Sequence, residues 1–309
     1  MNKPSILVFA YHEVGYECLD ALIQNDEYVL AVITHEDNPG EEIWFRSVAQ
    51  LAEEYDIPVY KPESVNSPEW IEQIRSWQPD LIFSFYYRNM IREEILNIAP
   101  RGAFNMHGSL LPKYRGRVPI NWAVLHGETE TGVTLHHMVK RADAGDIVDQ
   151  ERIAIAPDDT SRDVFEKAVR AARLVLERQL DAITSGTAPR RPQDESQATY
   201  YGGRKSEDGR IDWTMDAETI YNLVRAVTHP YPGAFTEIDG KQLFIWKASP
   251  VKGPGGAPGE VLSAKPLRVA AGNGSLEIVK LQWDGREEED ASAGTHGLEA
   301  GEVLGNKRT

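Results

Sequence analysis

An unbroken apolar run, Ile6-Leu-Val-Phe-Ala, opens the chain and limits what it can become. A strand that is apolar on both faces must be covered on both sides, which places it inside a parallel sheet. A loop from Tyr11 to Gly15 follows, and then a helix-spaced apolar set from Cys18 to Ile23, the parts of an opening βα unit. Val29 to Thr34 reads as a second strand and Leu81 to Phe85 as a further buried one. Between them lie helical spacing over Ser47 to Glu54 and a short strand at Val59-Tyr60. Ser67 then reads as an N-cap and Pro68 as the first turn of a helix ending near Trp77. Only Gly15 lies in the first turn, so the glycine fingerprint of a dinucleotide site is missing there. His35, in the polar loop after the second strand, reads as a solvated turn residue when taken alone. Tyr86, Tyr87 and Arg88 in a row are harder to bury and suggest a ligand wall.

Further on, Gly132 to Val139 alternates as a strand, so the adjacent His136 and His137 face opposite sides. That excludes a shared metal and predicts one packed and one exposed imidazole. Asp149 to Ile155 is another strand, and Ser161 to Ile183 carries a wide apolar stripe at helical spacing. The polar, proline-bearing stretch after Ala188 is a candidate linker. Beyond it, a helix over Ala217 to Val227 and short strands at 236–238, 242–246, 260–262, 267–271 and 276–281 suggest a small, partly open barrel. Arg286 to Asp290 reads as a solvated acidic run. The expected fold class is α/β, a Rossmann-like mostly parallel sheet domain followed by a small OB-like β-barrel domain. The expected bounds are 1–188, a linker over 189–204, the barrel over 205–300 and a tail over 301–309.

Composition narrows the partners. A hydrophobic content of 41% with 26% charged residues describes a soluble globular protein. A formal charge of −15 argues against a broad nucleic-acid surface, whose affinity is carried mainly by Lys and Arg. Cys18 is the single cysteine, so neither an intrachain disulfide nor a thiolate-rich zinc site can form. The apolar run from Ile6 to Tyr11 is too short for a signal peptide or a membrane span. A reducing cytoplasm fits best, with no membrane partner and no metal expected.

The chemistry is concentrated between Phe104 and Arg117, which reads Phe-Asn-Met-His-Gly-Ser-Leu-Leu-Pro-Lys-Tyr-Arg-Gly-Arg. Two residues apart in an extended chain, Asn105 and His107 point to one face. An amide donor beside an imidazole is what an acyl transfer requires, an oxyanion donor next to a general base. Taken alone, Asn-x-His is as well explained by turn capping. Downstream, however, Asp143-Ala-Gly-Asp supplies carboxylates in a glycine-containing turn, thirty-six residues after His107. The ordered pair resembles the hallmark of the folate-dependent formyltransferases, Asn-x-His-x-Ser-Leu-Leu-Pro followed by Asp-x-Gly-Asp.

The resemblance covers nearly the whole chain. It implies that Asn105, His107 and Asp143 are catalytic and that 10-formyltetrahydrofolate is the co-substrate. Folate contacts would come from Asn89, Met90 and Ile91, from Arg117, and from Val139, Lys140, Arg141, Ala142 and Asp143. The stretches Phe9-Ala-Tyr-His, Thr34-His-Glu-Asp-Asn-Pro-Gly-Glu and Phe83-Ser-Phe-Tyr-Tyr-Arg look like the family members that formylate UDP-4-amino-4-deoxy-L-arabinose in lipid A modification and polymyxin resistance. In those the formyltransferase half is fused to a decarboxylating dehydrogenase domain, so this chain is expected to be one part of such a protein. Arg is the natural partner of a diphosphate. Arg204, in the Gly-Gly-Arg turn, is the first candidate for that role, with Arg115 next and Tyr87 as a wall residue. A methionyl-tRNA formyltransferase, a formyltetrahydrofolate hydrolase and a non-enzymatic folate-binding module are the rival readings.

Overall fold

The chain's structure, a computed structural model, describes residues 3–253 and 255–305. Positions 306–309 of the expected tail lie outside the described residues. The first nine strands are β1 (Ser5–Ala10), β2 (Tyr28–Ile33), β3 (Val59–Tyr60), β4 (Leu81–Phe85), β5 (Ala103–His107), β6 (Arg115–Gly116), β7 (Glu130–His137), β8 (Ile147–Ala154) and β9 (Tyr200–Tyr201). The helices are α1 (His12–Gln24), α2 (Val48–Glu54), α3 (Pro68–Trp77), α4 (Glu93–Leu96), α5 (Pro119–Leu125), α6 (Ser161–Thr184) and α7 (Ala217–Val227). Two compact units emerge, one of Met1–Pro119, Glu130–Ala154 and Phe165–Gly202, the other of Ile120–Thr129, Ile155–Val164 and Gly203–Thr309.

The first unit is built on a seven-stranded sheet in the order β3-β2-β1-β4-β5-β7-β8. β1 pairs in parallel with β2 on one side and β4 on the other, and Ile6 to Ala10 are fully buried, which is why that run tolerates no polar residue. Strand order reverses between β1 and β4, the switch point at which open α/β sheets gather ligands beyond their carboxyl ends. Ser47 caps α2 by accepting from the Gln50 N–H at 3.2 Å, and Ser67 caps α3 by accepting from Trp70 at 3.4 Å. One expectation fails at the first turn. The loop from 11 to 15 does not exist, because α1 starts at His12 directly after β1. Gly15 lies inside the helix, where an added Cβ would sit 3.2 Å from the Phe85 carbonyl oxygen, so it serves close helix–strand packing and not a turn.

β5 ends the parallel part. β7 runs antiparallel to it, with Asn105 opposite His136 and His107 opposite Thr134, and β8 continues the antiparallel edge. The second unit holds a separate antiparallel sheet of β10 (Ala234–Ile238), β11 (Lys241–Val251), β12 (Val261–Ala264), β13 (Leu267–Ala270), β14 (Ser275–Trp283) and β15 (Glu289–Asp290). Its order is β10-β11-β14-β13-β12, with β15 on β14. The acidic run expected to be solvated therefore supplies a short strand. Glu289 and Asp290 pair through their backbones with Leu281 and Lys280, a pairing that needs nothing from the side chains.

Candidate active site

β5 carries Asn105 and His107 on one face at its carboxyl end, and the Gly-Ser-Leu-Leu-Pro segment then turns sharply. That turn is tied down from β7. Thr134 donates its hydroxyl to the Ser109 carbonyl at 2.6 Å and accepts from the Leu111 N–H at 3.1 Å. Ser109 in turn donates to the Lys113 carbonyl at 2.6 Å. The chain is thereby brought back so that the Tyr114 carbonyl meets His107 Nε2 at 2.8 Å.

A carbonyl only accepts, so His107 Nε2 carries a proton and Nδ1 is the nitrogen left for base chemistry. Nδ1 lies 3.5 Å from Asp143 Oδ1. The Tyr114 carbonyl thus fixes the tautomer of His107, and the Asp143 carboxylate stands where it can stabilise a proton gained at Nδ1. Burial alone would raise the Asp143 carboxyl. The positive charge that the His107 and His136 rings carry when protonated, together with the Gly116 N–H, which donates to Oδ2 at 2.9 Å, outweighs it and holds the group well below the usual carboxylate range.

His136 is the functional residue that sequence reasoning missed. One of the two histidines was to be exposed, yet both are buried, at 2% and 5% exposure. His137 faces Phe104 and donates Nε2–H to the Pro189 carbonyl at 3.0 Å, a structural position. His136 donates Nδ1–H to the His137 carbonyl at 2.9 Å, which leaves Nε2 an acceptor in the neutral ring. That Nε2 accepts from Asn105 Nδ2 at 3.2 Å and lies 3.5 Å from Asp143 Oδ1. One amide N–H of Asn105 is thus held by His136, and the other can meet a developing oxyanion. The signal was present in the alternation of β7, which puts Thr134 and His136 on one face, but the pairing of β7 with β5 is a tertiary fact.

The stretch after Ala188 is the second surprise. Its backbone bridges β8 through Arg191 and Ile147, with N–O distances of 2.8 and 3.0 Å. Gln193 donates to the carbonyls of Asp143 and Gly145 at 2.8 and 2.7 Å, clamping the loop that presents the carboxylate. Asp143 itself has a φ of 55°, a left-handed conformation that needs such support. Gln193 is held by Arg115, whose five N–H groups all have protein partners in Gln193, Glu195 and Tyr200. Arg115 is fully buried, so its fork holds this stretch and is not open to a diphosphate. Tyr200 and Tyr201 form β9 against β6, and Arg117 reaches the Tyr201 carbonyl through its own N–H at 3.0 Å.

The residues assigned to folate divide by exposure. Met90 and Val139 are apolar and exposed, at 61% and 45%, which suits contact with a flat ring. Ile91 is buried in the core, so only its backbone can serve a ligand, and the Met90 carbonyl already accepts from Asn66 Nδ2 at 2.7 Å. Asn89, Lys140, Arg141 and the Arg117 side chain face solvent, and Ala142 is half-buried. Tyr87 stacks on His35 with centroids 4.2 Å apart. Arg204 belongs to the second unit, where its guanidinium lies over Trp122 and donates to the Asp208 carbonyl at 2.8 Å.

The formyl transferase family matches residues 3–180, and the formyl transferase C-terminal domain matches residues 204–298. The chain belongs to the formyl transferase family. Asn105, His107 and Asp143 occupy the positions of the Asn-x-His and Asp-x-Gly-Asp motifs within the matched residues. Solved structures share the fold of this formyl transferase at low identity. WlaRD, a sugar 3N-formyl transferase determined in the presence of dTDP and 5-N-formyl-THF, is 19% identical with a TM-score of 0.69, over 94% of this chain and 100% of that one. The N-formyltransferase from Helicobacter canadensis, in complex with folinic acid and dTDP-3-aminofucose, is 20% identical with a TM-score of 0.66, over 94% and 100%. HypX from Aquifex aeolicus in complex with tetrahydrofolic acid is 18% identical with a TM-score of 0.65, over 99% of this chain and 51% of that one. This formyl transferase therefore spans about half the length of HypX. Among its described residues no helix is long and apolar enough to cross a membrane.

Proposed function

We propose that the protein transfers the formyl group of 10-formyltetrahydrofolate to the 4-amine of UDP-4-amino-4-deoxy-L-arabinose, as a cytoplasmic enzyme of lipid A modification. The observation that carries the chemistry is the convergence of His107 and His136 on Asp143, with Asn105 held by His136. The choice of acceptor is supported by the resemblance of three stretches to the enzymes of polymyxin resistance, in which this half is joined to a decarboxylating dehydrogenase. A nucleoside diphosphate in one protein of the same fold and a nucleotide-linked amino sugar in another agree with that class.

The amine nitrogen attacks the formyl carbon, a C–N bond forms, and the carbonyl oxygen becomes an oxyanion that accepts the free N–H of Asn105. His107 Nδ1 takes the amine's proton, and the ionised Asp143 beside it stabilises the resulting imidazolium. When the bond from the formyl carbon to N10 breaks, His107 returns that proton to N10. The products are the N-formylated sugar nucleotide and tetrahydrofolate. Met90 and Val139 offer apolar surface to the folate ring, and the backbone of 89–91 and 139–143 offers it polar groups.

Incubation with 10-formyltetrahydrofolate and UDP-4-amino-4-deoxy-L-arabinose should give an acceptor heavier by one formyl group and release tetrahydrofolate. Efficient formylation of initiator methionyl-tRNA, with no product from the amino sugar, overturns this reading.

A further inference from the structure

The interval between the two matched domains reaches the catalytic loop through one side chain. From Arg191 to Gln197 every residue is exposed except the half-buried Gln193. Its amide uses its full hydrogen-bonding capacity. Oε1 accepts from Arg115 Nε at 3.1 Å and Nη2 at 2.7 Å, and Nε2 donates to the carbonyls of Asp143 at 2.8 Å and Gly145 at 2.7 Å. The reverse orientation would set the oxygen against two carbonyls and the NH2 group against a guanidinium, so the network fixes which atom is which. Behind Gln193, Arg115 is fully buried, and Glu195 meets it through both carboxylate oxygens at 2.6 and 3.1 Å. Desolvating a guanidinium is costly, and a carboxylate partner does little more than offset that cost. Stability alone is therefore a poor reason for placing a cation here. What the cation does is polarise the amide in front of it, which strengthens the two N–H bonds on the far side.

Both carbonyls so held belong to the loop that carries the catalytic carboxylate. Asp143 sits there at a φ of 55°, a conformation that persists only where the surroundings impose it. Its Oδ1 lies 3.5 Å from His107 Nδ1 and from His136 Nε2, and its Oδ2 accepts from the Gly116 N–H at 2.9 Å. Misplacing a catalytic group by about 1 Å can cost about 10²-fold in rate. From this geometry we infer that Gln193 is a positioning residue of the reaction, relaying the buried Arg115 to the loop and holding the Asp143 carboxylate against the two imidazoles. The inference rests on the formyl-transfer chemistry proposed above. The competing role is purely structural, with Gln193 present only to satisfy Arg115. Gln193→Glu separates the two. The new carboxylate has the size of the amide and binds Arg115 at least as well, but it offers the loop no N–H and faces two carbonyls.

Turnover with 10-formyltetrahydrofolate and UDP-4-amino-4-deoxy-L-arabinose is measured on the full chain for wild type, Gln193→Glu and Gln193→Ala. Gln193→Glu should lower kcat by about tenfold to a hundredfold, at least as much as Gln193→Ala, with the KM of the amino sugar within about twofold of wild type. Wild-type kcat in Gln193→Glu would assign Gln193 to Arg115 alone and overturn the proposal. Added to Asp143→Asn, Gln193→Glu should lower kcat by less than about twofold further, because the charge it positions is already gone. Losses that multiply in full overturn the proposal too. A second cycle needs no turnover and is read from urea midpoints at pH 7. Asp143→Asn should lower the midpoint clearly in the wild type and much less in the Gln193→Ala background, where the loosened carboxylate no longer lies against the imidazoles. An equal drop in both backgrounds overturns the positioning role, and so does failure of both single variants to fold, which would make Gln193 a structural residue. The two cycles also keep the two readings apart. No formyl transfer by the wild type, together with coupled midpoints, would sink the formylation reading and leave Gln193 as the support of Asp143. Transfer with additive losses in both cycles would keep the formylation reading and remove Gln193 from it.

Discussion

At Asn105 a reacting oxygen would meet one amide N–H while His136 holds the other, so the two residues form one device. Asn105→Ala should lower kcat by at least about 10²-fold, the usual effect of removing one oxyanion donor, with folate affinity unchanged. His136→Ala should also lower kcat, and adding it to Asn105→Ala should cost almost nothing more, since what it positions is already gone. Additive losses in that double-mutant cycle would separate the two residues. Asp143 gives a second test through pH. Its folded carboxyl is held below the ordinary value by two imidazoles and an N–H, so its contribution to stability is present above the unfolded pKa of about 3.9. The contribution is lost as pH falls below that value through the depressed one. Asn adopts the left-handed φ of this position without added strain, so Asp143→Asn isolates the charge. Urea melts should show the variant clearly less stable than wild type at pH 7 and the two curves converging toward pH 3. A constant gap would remove the ionised pairing from the account.

The elements differ in how much of them was legible. Buried parallel strands announce themselves as continuous apolar runs, and Ser67 before Pro68 marked the start of α3 to the residue. Asn105 and His107 could be placed on one face from the period of a strand alone. What pairs across the sheet could not be read that way. His136 faces Asn105 only because β7 runs antiparallel to β5 in one register, and a shift of one residue would send it to the other side. The stretch after Ala188 looked like a linker because prolines and polar residues form linkers, but here the polar groups serve as clamps. Their partners, Arg115 and the Asp143 loop, are fifty or more positions away in the chain. The junction of β6 and β9 shows how tight that clamp is. Gly116 has a φ of 101°, and a Cβ there would lie 2.2 Å from the Tyr201 carbonyl oxygen. Gly116→Ala should therefore destabilise the protein by roughly 1–3 kcal/mol and lower turnover as well, because the N–H that holds Asp143 belongs to this residue. A variant with wild-type melting and activity would show that β9 can withdraw without consequence.

Taken whole, the molecule carries a formal charge of −15, and that field bears on which acceptor it can use. A tRNA acceptor is held through many phosphates, each of which demands a cation and releases counterions on binding. A sugar nucleotide presents one compact diphosphate, which a few local cations can hold against an acidic background. The two acceptors therefore differ in salt dependence as well as in affinity. Between about 50 and 200 mM salt, a protein that makes six to ten phosphate contacts loses roughly 10³–10⁵ in affinity. For this protein the KM of the UDP-amino sugar should rise less than about tenfold over the same range, because only one diphosphate is at stake. Initiator methionyl-tRNA should be neither formylated nor retained in a filter-binding assay at the lower salt. A steep salt dependence of the amino-sugar KM, or retention of the tRNA, would mean that a cationic surface overrides the net charge, and the acceptor would then have to be sought among polyanions.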